Sequence, residues 1–303
     1  QVAFRSSAVP RVQETAHAFL AAFFDQTSEG VSRVPSIDTL PPHLDYMLRP
    51  HTGCREDWPF LEKRLNLPYT TDPNVIQAAT LAHPLNLCAP FNMTEIEAFV
   101  AMESDPDVFL TSRQRRCARK EGKMHLFQFL AATTGVGKYR DDRRLTRVVG
   151  LLAAELSKNM RDAAKASRNG TEYTKFRGYF AHDNNIFAVA EAFGVLGFLK
   201  EETTPYATAI VLELRRNARG EEYVLVLTKG GVDGHLRLSA SCSSGRDCSL
   251  NAVSANLVKF NFSSLGECTD QFSTAKPVEG KPLKKVGFFK MILQKIELLF
   301  KDL

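Results

Sequence analysis

The sequence predicts an α/β fold, a mixed sheet flanked by helices with a helical cap inserted between its strands. Two segments place a buried strand before a helix: Val2 to Phe4 precedes a helical pattern from Pro10, and Phe176 to Phe180 precedes another from Ile186. Strands separated by helices favour a sheet with crossover connections. The composition, 44% hydrophobic and 24% charged over 303 residues, excludes collagen-like, coiled-coil and wholly disordered chains.

The first strand and helix come at the start of the chain. Val2 to Phe4 is typical of the end of a buried strand, and Arg5, Ser6 and Ser7 form a predicted polar turn. Proline suits a first helical turn, so a helix is predicted to begin at Pro10. Its apolar residues recur at helical spacing: Val12, Ala16, Phe19, Leu20 and Phe23.

Residues 44–137 form a predicted helical cap, inserted into an α/β core made of residues 1–43 and 138–268. The cap shows almost no β-branched alternation, and helices are predicted around 57–65, 74–81, 94–102 and 124–133. A long helix over 142–160 follows, and its apolar residues on one side predict that it packs on a sheet.

A second strand, polar turn and helix follow this long helix. Phe176 to Phe180 is short and aromatic, and it leads through His182 and Asp183 into a helix closed by Gly194. The remaining strands are predicted at 208–214 and 222–227, joined as a hairpin by a turn at 217–220, and at 235–238.

Residues 269–303 form a predicted basic, amphipathic tail. Such a segment is able to make peripheral contact with a membrane surface, and a terminal helix packed on its own domain or a poorly ordered end is the alternative. No stretch of the chain reaches the roughly 18 uncharged apolar residues of a spanning helix, so a membrane span is not predicted.

Both strand-to-helix turns carry polar residues where open α/β sheets bind ligands, outside the carboxyl ends of the strands. His182 and Asp183 precede a helix whose N–H groups and positive dipole end favour an anion. Arg5 in the other turn adds a planar fork of donors. Arg5 and His182 are therefore predicted to bind phosphate, and Asp183 to protonate a leaving oxygen as a general acid. A capping aspartate beside a satisfied histidine is the structural alternative.

Two segments of the chain resemble sequence motifs of a known protein family. Residues 176–186 read Phe-Arg-Gly-Tyr-Phe-Ala-His-Asp-Asn-Asn-Ile, and residues 4–12 read Phe-Arg-Ser-Ser-Ala-Val-Pro-Arg-Val. They resemble the His-Asp motif and the arginine-containing strand and turn of the histidine acid phosphatases, branch 2 of the histidine phosphatase superfamily. The order of the two motifs agrees, and the resemblance extends nearly to Cys268. It implies an acid phosphatase of small phosphate monoesters, in which Arg5 and His182 bind phosphate and Asp183 protonates the leaving alcohol.

The resemblance also implies a covalent mechanism, in which the histidine of an Arg-His-Gly motif attacks phosphorus and water hydrolyses the phosphohistidine. No Arg-His-Gly occurs in the 303 residues. In the family this motif ends a central strand a few dozen residues before the arginine-containing strand. We therefore expect the nucleophile and that strand to lie upstream of Gln1, and the chain as it stands to be inactive and to fold poorly alone.

One departure from the family concerns the arginine-containing turn. Ala8 stands where family members often carry an aspartate, which alters the support expected for Arg5. Arg11 is retained and is interpreted as structural.

The six cysteines form an even set without zinc-like spacing, so disulfides are predicted. The resemblance implies that Cys242 and Cys248 close the family's small disulfide loop, and that Cys54 pairs with Cys268. Cys88 also looks matched, but its family partner falls near Ala207, which leaves Cys117 as the alternative partner of Cys88.

The cysteines and three Asn-x-Ser/Thr sites predict passage through the secretory pathway, to an extracellular or lysosomal location. The sites are Asn92, Asn169 and Asn261. No cofactor and no metal site are expected, and the isolated histidines are interpreted as structural or exposed: His17, His43, His51, His83, His125 and His235. The net charge of +5 is dispersed, so no nucleic-acid partner is predicted, and a homodimer is left open.

Three other functions stay open. The first is a specialised phosphatase of the same clan that acts on inositol phosphates or phosphorylated sugars, for which the basic run from Arg113 to Lys120 is the one hint. The second is a secreted pseudophosphatase that binds phosphorylated ligands without turnover. The third is a role at a membrane surface through the basic tail.

Overall fold

A three-stranded parallel sheet organises the first part of the structure. The computed structural model describes residues 1–25, 35–41, 44–50, 88, 93–103, 108–199, 204–231, 234–239 and 248–260. The strands are β1 (Val2–Ser7), β2 (Ile37–Leu40) and β3 (Phe176–Phe180), in the order β2-β1-β3. Ser7 lies opposite Leu40, and Ser6 lies opposite Phe180. The carboxyl ends of the three strands therefore meet at one edge of the sheet.

Strand β1 is longer than the sequence predicts. The prediction that Arg5, Ser6 and Ser7 form a turn is wrong, because all three lie in the strand. Arg5 and Ser6 are paired with neighbours on both sides, and this ladder outweighs the turn preference of serine. The sequence analysis predicts no strand at the position of β2. This strand has only four residues, and because most of them are exposed it shows no run of buried apolar residues.

Aromatic rings fix β1 to β3 and to helix α1 (Pro10–Asp25). The buried ring of Phe4 has its centroid 5.7 Å from that of Phe176 on β3 and 6.5 Å from that of Phe23 on α1. A Cβ atom on Gly178 would lie 2.8 Å from Cδ1 of Phe4, so glycine is needed where the ring crosses β3. Because strand residues alternate, Arg5 projects to the opposite face from Phe4.

Six further helices follow along the described chain. They are α2 (Met93–Met102), α3 (Ser112–Cys117), α4 (Lys123–Thr134), α5 (Asp142–Arg168), α6 (Asp183–Ala192) and α7 (Leu250–Val258). Helix α5 continues to Arg168, beyond the predicted end at Met160, because the added residues are mostly good helix formers. Asn159 of α5 donates from Nδ2 to the Tyr179 hydroxyl of β3 at 2.8 Å. Buried side chains of α5, α6 and α7 form the main core, among them Leu145, Val149, Phe187, Ala188 and Leu257.

The predicted hairpin is confirmed as part of a second, antiparallel sheet. Its strands are β4 (Ala209–Arg216), β5 (Glu222–Lys229) and the short β6 (Arg237–Leu238), in that order. In the turn, Oδ1 of Asn217 accepts the backbone N–H groups of Arg219 and Glu221, both at 2.9 Å. The α/β class with parallel and antiparallel pairing is confirmed, but among the described residues the two kinds of pairing belong to separate sheets rather than to one mixed sheet.

The cap contains the two predicted helices that the structure describes. Helices α2 and α4 confirm the predictions at 94–102 and 124–133, and the π-helical turn Ala118–Gly122 joins α3 to α4. The predicted helices at 57–65 and 74–81, and the tail 269–303, lie outside the described residues. The division into core, cap and tail stays a prediction. In the part of the chain that the structure describes, every helix is too short or too polar to cross a bilayer.

Candidate active site

Arg5 is held by a fully buried carboxylate. Its Nη2 donates to Oδ1 of Asp45 at 3.1 Å; the Asp45 side chain is 0% exposed, whereas the Arg5 side chain is 29% exposed. The same Oδ1 accepts the backbone N–H of Leu48 at 3.2 Å. Within the described residues, Nε of Arg5 and Oδ2 of Asp45 have no hydrogen-bond partner. The guanidinium is therefore anchored at one nitrogen while part of the side chain still reaches solvent.

The register of β1 and β3 brings Ser7 beside His182. Ser6 pairs with Phe180, so Ser7 lies level with the residue just before His182. The buried Ser7 places its Oγ 3.0 Å from Nε2 of His182. A hydroxyl donates to a neutral ring nitrogen or accepts from a protonated one, so this contact suits either state of the imidazole. It fixes the ring at the carboxyl end of β1.

A short segment of residues 44–50, here called the brace segment, contacts both parts of the site. His182 is the N-cap of α6, and its backbone N–H donates to Oδ1 of Asn185 at 3.2 Å. The buried Asn185 then donates from Nδ2 to the backbone oxygen of Met47 at 3.4 Å. Since Asp45 of the same segment holds Arg5, the brace segment connects the arginine to the His-Asp turn.

Asp183 begins α6 and has the properties of a proton donor. Surrounding protein atoms desolvate its carboxyl group and raise the pKa of Asp183 above its ordinary value, although the residue as a whole is solvent-accessible. The backbone N–H of Asn184, which donates to Oδ1 at 2.8 Å, and the positive charge of Arg11 lower the pKa in part. A carboxyl group that keeps its proton to a higher pH and still contacts solvent suits a general acid.

The N-terminus of α6 contributes mainly its dipole to this site. The N–H of Asn184 is directed to the Asp183 carboxylate, and that of Asn185 to the backbone oxygen of His182 at 3.1 Å. These two groups are therefore satisfied locally, unlike the free donors that the sequence suggests for an anion. The positive end of the helix still lies beside His182 and favours negative charge there.

A comparison with known families assigns this arrangement. The family model of the histidine phosphatase superfamily (branch 2) matches residues 1–229. The chain belongs to the histidine phosphatase superfamily, branch 2. The matched region contains β1, the brace segment, β3 and α6, and hence every residue of the site. Among curated proteins, none matches the chain.

Membership of the histidine phosphatase superfamily supports phosphatase-type activity. In this member of the superfamily, strand β1 supplies a guanidinium, the N-cap of α6 supplies an imidazole, and the first residue of α6 supplies a carboxyl group with a raised pKa. Such a set is able to bind a phosphate group and to supply a proton to a leaving oxygen. The roles of Arg5, His182 and Asp183 in that chemistry stay predictions.

The structure describes part of the predicted disulfide set. Cys88 and Cys117, both fully buried, form a disulfide, which confirms the alternative pairing of Cys88. Cys248 is also disulfide-bonded. Cys54, Cys242 and Cys268 lie outside the described residues, so the pairings implied for them stay predictions.

The other predicted residues are only partly described. Asn169 is exposed at the end of α5, and Asn92 and Asn261 lie outside the described residues. His17 and His235 are exposed, which agrees with their interpretation as structural or exposed residues. His43, His51 and His83 lie outside the described residues, as does the side chain of His125.

Two residues of the site were not predicted from the sequence. Ser7 was assigned to a turn, and reading β1 as a strand through Ser7 would have placed it on the same face as Arg5. Asp45 lies 40 residues from Arg5 in a segment without regular structure, and no local pattern marks it. The one sequence signal was Ala8, because the missing aspartate at that position leaves Arg5 in need of another carboxylate.

Proposed function

We propose that this protein is an acid phosphatase that hydrolyses phosphate monoesters through a phosphohistidine intermediate. The observation that carries the proposal is that Arg5 lies in β1, two residues before its carboxyl end, while the His182-Asp183 pair follows the carboxyl end of the adjacent parallel strand β3. Family membership supports the phosphatase class. The raised pKa of Asp183 supports its role as the acid that protonates the leaving group at low pH.

The proposed reaction has two steps. In the first, a histidine nitrogen forms a bond to phosphorus while the bond from phosphorus to the alcohol oxygen breaks, and Asp183 gives its proton to that oxygen. In the second, water attacks phosphorus, the N–P bond breaks, and Asp183 takes a proton from the water as inorganic phosphate leaves. Arg5 and His182 hold the phosphate oxygens in both steps. Because the chain contains no Arg-His-Gly, the proposal takes the attacking histidine from a segment upstream of Gln1.

The test compares the 303-residue chain with the same chain extended by its native upstream sequence. We expect the extended protein to hydrolyse p-nitrophenyl phosphate at acid pH and the 303-residue chain to show no hydrolysis. An extended protein that carries an Arg-His-Gly and shows no hydrolysis would contradict the proposal. Equal hydrolysis by both proteins would also contradict it, since the nucleophile would then lie within the 303 residues.

A binding protein without turnover is the second candidate, because it would also account for a chain of 303 residues that contains no Arg-His-Gly. Such a pseudophosphatase would keep the phosphate-binding residues and release no product. The native transcript separates the two candidates. An upstream segment with Arg-His-Gly at the end of a predicted strand supports the enzyme, and a complete upstream segment without it supports the binding protein.

A phosphatase for inositol phosphates or phosphorylated sugars is a narrower form of the enzyme proposal. The observation in its favour is the basic run of the cap, which exposes Arg113, Arg116, Arg119 and Lys120 on α3 and the π-helical turn. For a highly charged substrate, kcat/KM should fall steeply with salt and on Arg116→Gln substitution. Equal salt dependence for p-nitrophenyl phosphate and an inositol polyphosphate would exclude a role of this surface in substrate choice.

We also propose that the protein passes through the secretory pathway. The buried Cys88–Cys117 disulfide and the exposed acceptor site at Asn169 support this location. In a secreting cell, Asn169→Gln should reduce the apparent mass by one glycan. A protein that carries no glycan and remains in the reducing cytosol would contradict the location.

A further inference from the structure

We propose that Asp45 is a positioning residue for phosphate binding and acts through Arg5. This inference rests on the proposed function, because it concerns the same phosphate site. Asp45 contacts Arg5 from 40 positions away in the sequence, and its carboxylate is fully buried. A buried carboxylate needs a cationic or hydrogen-bonding partner, so the pair holds the guanidinium in a defined place.

Asp45 is itself fixed within the brace segment. Its Oδ1 accepts the N–H of Leu48, and its backbone oxygen accepts the N–H of Arg49 at 2.8 Å. The side chains of Met47 and Leu48 are buried in the main core, which holds this turn against the rest of the protein. The carboxylate therefore has little freedom to follow a moving arginine.

The brace segment also relates Arg5 to His182. The backbone oxygen of Met47 receives a hydrogen bond from Asn185, whose side chain in turn accepts from the backbone of His182. The brace segment thus contacts Arg5 directly through Asp45 and is linked to the backbone of His182 through Asn185. A change at Asp45 should alter the position of Arg5 relative to His182, and two donors bind one anion well only when their spacing is fixed.

Two possible effects of Asp45, orientation of Arg5 and electrostatic repulsion of phosphate, predict opposite changes in phosphate affinity when Asp45 is substituted. A carboxylate close to an anion site repels phosphate, so charge alone predicts tighter phosphate binding after Asp45→Asn. If Asp45 instead orients Arg5, the same substitution releases the guanidinium and weakens binding. We expect the dissociation constant of inorganic phosphate to rise by about tenfold, the effect of losing one well-placed charged hydrogen bond.

The experiment is a calorimetric titration of the protein extended by its native upstream sequence with inorganic phosphate. The matched control is Asp141→Asn, because Asp141 also accepts a backbone N–H three residues ahead, from Arg144 at 3.2 Å, at the start of α5. Phosphate affinity should be unchanged in Asp141→Asn. Unchanged or tighter binding in a folded Asp45→Asn variant would overturn the proposal.

A double-mutant cycle separates positioning from general loss of structure. In an Arg5→Ala background, Asp45→Asn should have no further effect on phosphate affinity, whereas a similar loss in both backgrounds would overturn the proposal. If Asp45→Asn does not fold, Asp45→Glu serves in its place, because it keeps the charge and displaces the carboxylate by one methylene. An extended wild-type protein that binds no phosphate would overturn the proposed function and this inference with it. Phosphate binding that does not change on substitution of Asp45 overturns this inference alone.

Discussion

The hydroxyl oxygen of Ser7 lies 3.0 Å from Nε2 of His182, although the two residues are 175 positions apart in the chain. The contact exists because β1 and β3 are parallel neighbours in a register that brings their carboxyl ends level. Together with the Arg5–Asp45 ion pair, this contact gives each of the two proposed phosphate-binding residues, Arg5 and His182, a hydrogen-bond partner in the protein. A site held in this way is positioned before a ligand arrives, which reduces the entropy cost of binding.

Substitution of Ser7 tests whether this contact orients His182. Ser7→Ala should weaken inorganic phosphate binding by roughly three- to tenfold, since the imidazole loses one hydrogen bond that fixes its ring. Ser6→Ala is the matched control, because Ser6 is equally buried but its hydroxyl donates to the backbone oxygen of Ser7 at 3.0 Å. Titration calorimetry of both variants measures the difference. Equal effects of the two substitutions would show that Ser7 acts only through packing.

The Arg5–Asp45 pair makes a prediction about stability. Arg5→Ala should lower the free energy of unfolding by about 3 kcal/mol, because it leaves a buried carboxylate without its cation. The double variant Arg5→Ala/Asp45→Ala should recover part of this loss, since the buried charge is also removed. Urea unfolding of the wild type and the variants gives the three values. A double variant that loses more unfolding free energy than the two single variants lose together would contradict the explanation.

The raised pKa of Asp183 predicts how stability changes with pH. A raised pKa means that the native state binds this proton more tightly than the unfolded state, so the contribution of Asp183 to stability is present at low pH and is lost as pH rises through its native pKa. Asp183→Asn should therefore reduce the fall in stability as pH rises above about 4, the ordinary pKa of an aspartate. Urea unfolding at several pH values measures this slope.

Asp162 provides a control, because its contribution to stability should change with pH in the opposite direction to that of Asp183. Lys158 donates a hydrogen bond to its carboxylate at 2.7 Å and lowers the pKa of Asp162, so its contribution is lost as pH falls. Asp162→Asn should lower stability slightly at neutral pH and leave it unchanged at low pH. The same pH slope in Asp183→Asn and Asp162→Asn would contradict both assignments.

Gly178 tests the contact that fixes β1 to β3. Gly178→Ala should destabilise the protein by roughly 1–3 kcal/mol, because the new methyl group would overlap the buried ring of Phe4. Gly197→Ala is the control, since nothing lies within 4 Å of a Cβ atom at that position. Urea unfolding should show a loss only for Gly178→Ala, and equal stability of the two variants would show that the Phe4 ring moves aside easily.

Much of the fold follows from local sequence patterns. The aromatic strand Phe176–Phe180, the start of α5 and the hairpin of β4 and β5 were predicted from periodicity, because each carries its own apolar pattern or turn residues. The extension of β1 through Ser7 could not be predicted in this way. Its polar residues favour a turn locally, and only pairing with β2 and β3, distant in sequence, makes them a strand.

The site shows the same limit. Arg5, His182 and Asp183 were predicted because they follow strand patterns and resemble a family motif. Asp45 and Ser7 were missed, since their roles depend on contacts across 40 and 175 positions that no periodicity records. The residues that could be predicted are those proposed to bind phosphate or to donate a proton, and the two that were missed contact Arg5 and His182.

The central proposal is that this chain supplies the phosphate-binding and acid groups of an enzyme whose nucleophilic histidine lies upstream of Gln1. Its most direct test is to quench the upstream-extended protein during turnover of a radiolabelled phosphate monoester and to locate the label. The account predicts an acid-labile phosphohistidine in the upstream segment, with less label in Arg5→Ala. A stable label on any of the 303 residues, or turnover without a phosphoenzyme, would contradict it.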